Sequence, residues 1–502
     1  MTAAPWGFRD ILPEEAQARE EIALTVKGCF REHHYLPVET PLLEDKGSLE
    51  EGGRIADTPF KLFDDDGRLL VVRPDNTLPI VRLVSTRMRA ADLPLRLRYE
   101  APVVRECQRN AGGSRQFTQL GFELIGAGDT AGEVEIVSLV AEAVRELALP
   151  DARIIAGSVR PFKELLAACE DRALVEGLAP EDAQVLSFDF SIMNSFDYYT
   201  GLVFKAYAGG LPDPVGSGGR YDSIFTGAFG DGIEVPAAGF AFSLERLEAA
   251  RTSAEDAASD GDHAVGRGAE GPLRIAVPKG SLKADTLDVL EAAGLDVSEL
   301  RDPGRHLIVR GRDTRAGEGT VGDIEFVIVR PSDAPAFVGC GGADCGICGW
   351  DSLIEADLNL LQLVDLGYGL CTFIEAEPAW RAGQAERNYA RRGSLRVATK
   401  YPRIASAWYA ERGVNADIVS LHGNIELGPI VGMTDRIVDI TATGATLRDN
   451  DLVITGRIMD CTARFFVNPG AARLDQRVRN LADRLAAAVK DKHFEPVAGS
   501  AQ

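Results

Sequence analysis

From Ala249 to Gly271 the sequence holds almost no large apolar residue. A segment that poor in apolar side chains buries too little surface to offset the entropy lost on ordering it. It reads as a flexible linker over 249–271, dividing the chain into residues 1–248 and 272–502. Each part must then build its own core. A length of 502 residues with 45% apolar content allows that.

The two parts carry different rhythms. In the first, Ile22, Val26 and Phe30 recur every four residues after Pro13-Glu14-Glu15 and predict a helix. Strand signals follow at Leu69–Val72, around Val103, and at Leu120–Ile125, Val185–Phe190 and Leu202–Tyr207. An amphipathic helix over Gly132–Leu147 lies among them. Adjoining strands with few helices between them predict an α+β layout, an antiparallel sheet with helices packed on it.

The second part alternates. Strands are predicted at Arg274–Val277, Phe326–Val329, Leu395–Ala398 and Ile418–Leu421, with helices at Lys283–Ala293 and Pro402–Arg412. A last helix shows the apolar stripe Leu474, Val478, Leu481, Leu485 and Val489. This rhythm predicts an α/β sheet wrapped by helices, in two lobes.

Within that second part, Arg436–Leu447 is the chemically loaded stretch. Ile437, Val438 and Ile440 signal a short buried strand that carries Asp439. Thr441, Ala442, Thr443, Gly444, Ala445 and Thr446 follow as a loop of small and hydroxylated residues. Such a loop can turn several N–H groups toward one anion, and Gly444 lacks the Cβ that would hold the backbone off a phosphate. Asp439 and Glu426 suit ribose hydroxyls or a Mg²⁺ bound to pyrophosphate. An ordinary strand-turn with a Thr-rich tip has the same local pattern.

The net charge is −22, which argues against a surface for RNA or DNA backbones. No apolar run approaches the length of a membrane span, and Met1 to Pro13 lacks the apolar core of a signal peptide. Eight scattered cysteines suit a reducing cytoplasm. Cys340, Cys345 and Cys348 sit in a glycine-rich segment without a second Cys/His pair, so small buried thiols are preferred over zinc.

Ordered motifs in the first part carry a resemblance. Gly7-Phe8-Arg9-Asp10-Ile11-Leu12-Pro13 and Val38-Glu39-Thr40-Pro41-Leu42-Leu43-Glu44 look like the opening and first motif of histidyl-tRNA synthetases. Arg73–Thr77, Gln119–Glu123, Asp197–Gly201, Gly218–Asp222 and Gly239–Arg246 continue the match. Two departures bear on activity. Arg105-Glu106 stands where synthetases carry Arg-x-Glu, and Asn194-Ser195-Phe196 precedes Asp197-Tyr198-Tyr199 where they carry an arginine. Losing a cation aimed at a reacting phosphoryl group removes transition-state stabilisation. This part therefore resembles the regulatory subunit of ATP phosphoribosyltransferase, a catalytically dead paralogue. The resemblance implies a histidine pocket lined by Asp75, Thr77, Arg105, Gln119, Glu123, Tyr198 and Tyr199. The alternative is that these residues only pack a remnant fold.

The second part is similar to the catalytic subunit of the same enzyme over about Leu273–Val489. The motifs that carry this are Ile275–Gly280, Gly342–Asp351, Asp365–Cys371, Arg396–Pro402, Leu421–Pro429 and Asp435–Leu447. Ending near Val489 is expected of the short form, which needs a regulatory partner; here that partner is fused upstream. The resemblance implies a periplasmic-binding-protein-like fold. The implied reaction is attack of ATP N1 on C1 of phosphoribosyl pyrophosphate, with pyrophosphate leaving, as the first step of histidine biosynthesis. Lys279, Arg396 and Lys400 would neutralise phosphates, and Asp439 and Glu426 would hold ribose hydroxyls or Mg²⁺. Residues 441–446 would hold the 5′-phosphate. Asp344, Gly346 and Asp351 are candidates for the nucleotide. L-Histidine is the implied inhibitor, and homo-oligomeric assembly is implied as well. Ser281, Asn424 and Ala445 depart from the family's common residues. Two other readings stay open: a true histidyl-tRNA synthetase with an appended domain, and a two-lobed solute-binding protein.

Overall fold

Strands in the first half alternate large apolar side chains on one face with small and polar ones on the other. The computed structural model describes residues 4–50, 60–89, 91–106, 114–128, 130–158, 178–188, 199–225, 235–259, 271–315, 317, 319–442 and 444–490. The chain divides into two compact units, Met1–Gly271 and Pro272–Gln502.

The first unit contains β1 (Leu36–Pro37), β2 (Leu43–Asp45), β3 (Lys61–Phe63), β4 (Leu69–Val72), β5 (Leu95–Val104) and β6 (Gln116–Ile125). It continues with β7 (Arg153–Ser158), β8 (Leu186–Phe188), β9 (Leu202–Tyr207), β10 (Gly216–Arg220) and β11 (Ala237–Ser243). Eight of these form one sheet in the order β1-β5-β6-β11-β10-β9-β7-β8, and β2-β4-β3 form a small second sheet. In the large sheet only the outer pairs β1/β5 and β7/β8 are parallel. Leu120, Phe122, Leu124, Phe204, Phe240 and Phe242 cover one face of it. They pack under the helices Pro13–Glu32, Thr130–Glu146 and Leu244–Ser259. Because side chains alternate along a strand, the opposite face takes Tyr99, Gln119, Gly121, Glu123, Gly219 and Gly239. That face carries the buried carboxylate Glu123.

The helix Leu244–Ser259 corrects the linker expected over 249–271: its first part is helical, and residues 260–270 lie outside the described residues. Leu244, Leu247 and Ala250 of this helix are buried in the core.

The second unit holds β12 (Leu273–Pro278), β13 (Ile308–Arg312), β14 (Asp323–Val329), β15 (Cys345–Gly349), β16 (Leu361–Asp365) and β17 (Cys371–Pro378). Then come β18 (Leu395–Thr399), β19 (Ala416–Ser420), β20 (Arg436–Thr441), β21 (Leu452–Cys461) and β22 (Ala463–Val467). They form two sheets, β13-β14-β12-β15-β22-β16 and β19-β18-β20-β17-β21. Each sheet is one lobe. The chain passes between the lobes twice, at 366–371 and at 461–463. In each lobe three neighbouring strands are parallel: β14, β12 and β15 in one, β19, β18 and β20 in the other.

The last helix is two helices, Pro469–Leu474 and Gln476–Lys490, so Leu474 does not share a stripe with Val478. Asp475 is extended between them, and its carboxylate accepts the Arg477 N–H at 2.9 Å, starting the second helix. Cys345 and Cys348 are buried in β15, whereas Cys340 is exposed, unlike the expected set of three buried thiols. Among the described residues no helix is long and apolar enough to cross a membrane.

Candidate active site and ligand pocket

In the second lobe β18 lies between β19 and β20, so the chain leaves β18 toward one side and returns on the other. Such a switch point leaves a crevice at the carboxyl ends of the parallel strands. Lys400 follows β18 there, and Asp439 and Thr441 end β20. Glu426, Asp439, Thr441, Ala442, Ala445 and Thr446 help to line a cavity of about 260 Å³ at this point. Burial pushes the Asp439 carboxyl up to about 6; Glu426 adds to the rise, while the Ile440 N–H and Lys400 oppose it. Two carboxylates lining one cavity are residues that could hold a cation, and burial, more than their mutual repulsion, raises Asp439. Among the described residues no group of three metal-ligating side chains occurs. Such a set suits a Mg²⁺ that takes most of its ligands from water and substrate phosphates.

The loop after β20 is partly closed on itself. Gly444 is left-handed, with φ +68°, and its N–H donates to Thr441 Oγ1 at 2.9 Å. Thr441 therefore shapes the loop through its hydroxyl oxygen, while its O–H remains a donor. Thr443 lies outside the described residues. Asn424 is also left-handed, with φ +48°, a conformation asparagine tolerates better than most residues.

In the first lobe Lys279 and Gly280 follow β12, and Trp350 and Asp351 follow the adjacent parallel strand β15. Lys279 and Lys400 are both exposed. Tyr401 Oη donates to Asp351 Oδ2 at 3.1 Å, joining the two lobes. Glu355, from the helix Trp350–Ala356, accepts the N–H groups of Arg403 and Ile404 at 3.0 and 3.1 Å. It thus caps the helix Pro402–Glu411 that follows Lys400. Sequence reasoning missed Tyr401 and Glu355, because no local pattern links either residue to its partner in the other lobe.

Three expected site residues are elsewhere. Arg396 sits at the opposite end of β18 from Lys400; its N–H donates to Asp435 at 2.9 Å and its Nη2 to Gly432 O at 3.3 Å. Asp344 precedes β15, where its Oδ2 accepts the Arg274 N–H at 2.8 Å, tying strand starts together. Gly346 is mid-strand, where a Cβ would meet Phe466 at 2.9 Å and Ala276 at 3.1 Å. Its glycine is needed for sheet packing.

In the first unit, Glu123 is buried on β6 and accepts from three hydroxyls: Thr77 at 2.9 Å, Tyr99 at 3.2 Å, and Tyr221. Burial pushes its carboxyl up to about 7, against the pull of those hydrogen bonds. Gly121, Gly219 and Gly239 clear space for this group. A Cβ at Gly121 would lie 2.3 Å from Tyr99, and one at Gly219 would lie 2.6 Å from Tyr199. Asn76 Nδ2 donates to Gln119 Oε1 at 2.8 Å. Asp75 Oδ2 and Asn76 Oδ1 are buried without a hydrogen-bond donor among the described residues. Burial raises the Asp75 carboxyl, with Arg105 opposing. Arg105 Nε donates to Pro74 O at 2.7 Å, and its guanidinium lies over Phe117. Carboxylates and unused acceptors on one sheet face suit a small ligand rich in N–H donors, such as an amino-acid ammonium group. Tyr198 and Asn194 lie outside the described residues.

Comparison with known proteins agrees with this division. The family described as histidyl-tRNA synthetase matches residues 7–181 and 172–247, and the family described as ATP phosphoribosyltransferase matches residues 330–487. An ATP phosphoribosyltransferase from Rubrobacter xylanophilus is 48% identical over 202 residues, 40% of this chain and 89% of its own length. An ATP phosphoribosyltransferase regulatory subunit from Moorella thermoacetica is 33% identical, over 52% of this chain and 85% of its own length. A solved ATP phosphoribosyltransferase regulatory subunit/histidyl-tRNA synthetase from Bacillus halodurans is 24% identical, covering 58% of this chain and 90% of its own, with a TM-score of 0.46.

Proposed function

The chain belongs to the ATP phosphoribosyltransferase family, and on that premise we propose how its residues share the work. It is a histidine-biosynthesis enzyme that joins ATP, through N1, to C1 of phosphoribosyl pyrophosphate and releases pyrophosphate. A synthetase-like regulatory domain accompanies the catalytic one.

The site we infer is the cavity at the end of β20. The observation that carries it is that Asp439 and Glu426 share that cavity at a switch point beside Lys400. Asp439 and Glu426 hold the ribose hydroxyls or a Mg²⁺ and favour positive charge developing at C1. The cation supplies charge neutralisation for the leaving pyrophosphate. Ala442, Gly444, Ala445 and Thr446 cradle the 5′-phosphate, with Thr441 holding their loop in shape. Lys279 and Lys400, one from each lobe, neutralise phosphates from opposite sides of the crevice. Asp351 orients the nucleotide from the first lobe. A periplasmic-binding-protein-like arrangement is consistent with the two sheets and the double crossing between them.

The regulatory reading assigns L-histidine to the Glu123 face, with its ammonium on Glu123 and the acceptors of Asp75 and Asn76 beside it. Regulatory residues 1–248, with the helix continuing to Ser259, are joined to catalytic residues 272–502. The cytoplasm and homo-oligomeric assembly belong to this reading on the resemblance alone. Histidine inhibits only if it binds a less active arrangement more tightly. The test is pyrophosphate release from ATP plus phosphoribosyl pyrophosphate by the full chain, with and without histidine. Release that histidine suppresses supports both parts. Histidine-dependent ATP–pyrophosphate exchange at synthetase-like rates would instead favour a true synthetase.

A further inference from the structure

Cys371 opens β17 and Cys461 closes β21, and the two face each other directly in the antiparallel ladder. Opposed Cα atoms in such a ladder lie about 4.5–5.5 Å apart, within the about 4.4–6.8 Å that a disulfide spans. Neither cysteine is in a disulfide; Cys371 is half-buried and Cys461 buried. The thiol of Cys371, with burial, pushes the Cys461 thiol far up, which marks the two sulfurs as neighbours.

Their place in the fold gives the pair a meaning beyond packing. The chain enters the second lobe at Cys371 and leaves it at Cys461. The two crossings run side by side: Ala463 N–H donates to Tyr368 O at 2.8 Å, and Leu366 N–H donates to Ala463 O at 2.9 Å. Gly367 and Gly369 are both left-handed, with φ +72° and +68°, on either side of buried Tyr368. Tyr368 is anchored by a 2.7 Å hydrogen bond between its hydroxyl and that of Thr286. The cysteines sit just beyond this anchored tyrosine and its two left-handed glycines. Asp351, whose carboxylate joins the lobes through Tyr401, packs beside Cys461.

We propose that Cys371 and Cys461 are an oxidative modification site, a dithiol that closes reversibly to a disulfide and clamps the hinge between the catalytic lobes. The co-reactant is a low-molecular-weight disulfide. The half-exposed Cys371 attacks one of its sulfurs as the thiolate, forming a mixed disulfide and releasing one small thiolate. Cys461 gives up its proton and attacks Cys371 Sγ, releasing the second. Two cysteines are oxidised, one disulfide is reduced to two thiols, and the two cysteine protons end on those thiols. The bond locks β17 to β21 where the chain enters and leaves the second lobe, stiffening the base of both crossings and so restricting the lobe movement that would bring Lys279 and Lys400 to one substrate.

The test treats the full folded chain with oxidised glutathione, blocks remaining thiols, and maps peptides by mass. The expected result is a linked Cys371–Cys461 pair. With it, pyrophosphate release should fall by about fivefold or more and return on reduction. Cys371→Ser should keep its unoxidised rate and lose the response, and Cys461→Ala serves as the partner variant. Glutathione held on Cys371 without a linked pair, or no modification of either residue, overturns the site. A linked pair with an unchanged rate overturns the hinge role. A response that persists in Cys371→Ser overturns both.

Discussion

Gly239 faces Glu123 across the β6/β11 pair, and a Cβ on Gly239 would lie 1.7 Å from Glu123 Oε2. The carboxylate occupies the space that this glycine leaves. Gly239→Ala should therefore displace Glu123 and cost about 1–3 kcal/mol of stability. The histidine concentration for half-inhibition should rise about tenfold or more while the uninhibited rate is kept. Inhibition curves on the purified variant decide it, and unchanged sensitivity would separate Glu123 from the sensor.

Glu123 also gives the proposed histidine site a pH signature. Its folded value of about 7 lies above the ordinary 4.5. Between those values the folded chain keeps a proton that the unfolded chain has lost, so this group's contribution to stability falls as pH rises through that window. Glu123→Gln should flatten that slope in pH-dependent melting curves. A histidine ammonium needs the ionised form, so histidine should bind more tightly as pH rises from about 6 to 8, with proton uptake by buffer. Calorimetry in buffers of different ionisation enthalpy reads that proton directly.

Asp439 should set the acid limb of the reaction. With its carboxyl pushed up to about 6, activity should rise as pH passes through that value and the group ionises. Asp439→Asn should lose about 100-fold or more in kcat/KM and remove that limb. An acid limb surviving at the same pH in the variant would assign it to another group.

Gly444→Val tests the loop. A β-branched residue at φ +68° is strained, and the turn closed by Thr441 should open. The KM for phosphoribosyl pyrophosphate should rise about tenfold, equal to about 1.4 kcal/mol. Steady-state kinetics on a variant with unchanged circular dichroism is the measurement.

Arg396 and Lys400, neighbours in one motif, should behave oppositely. Arg396→Met should lower Tm modestly, by about 1 kcal/mol of stability, with KM unchanged. Lys400→Ala should leave Tm alone and raise the KM for phosphoribosyl pyrophosphate by about tenfold. A KM effect at Arg396 that equals the one at Lys400 would return Arg396 to the site.

The sequence by itself determined what local rules reach. The strand Leu69–Val72 and the helix starts at Pro13 and Pro402 follow from apolar spacing and the fixed φ of proline. The loop after Asp439 was legible because glycine and small hydroxylated residues impose their chemistry within a few residues. The motifs also marked two differently built halves. Only the tertiary structure decided which motif residues meet. Arg396 and Lys400 share a motif, yet four residues along a strand separate them by about 13 Å, and parallel pairing puts only the carboxyl end at the crevice. Glu123 gathers hydroxyls from residues 46, 24 and 98 positions away. Glu355 caps a helix some 48 residues on, and Cys371 opposes Cys461 because two antiparallel strands start and end level. Such encounters depend on register and crossover, which long-range packing sets and neighbouring residues do not encode.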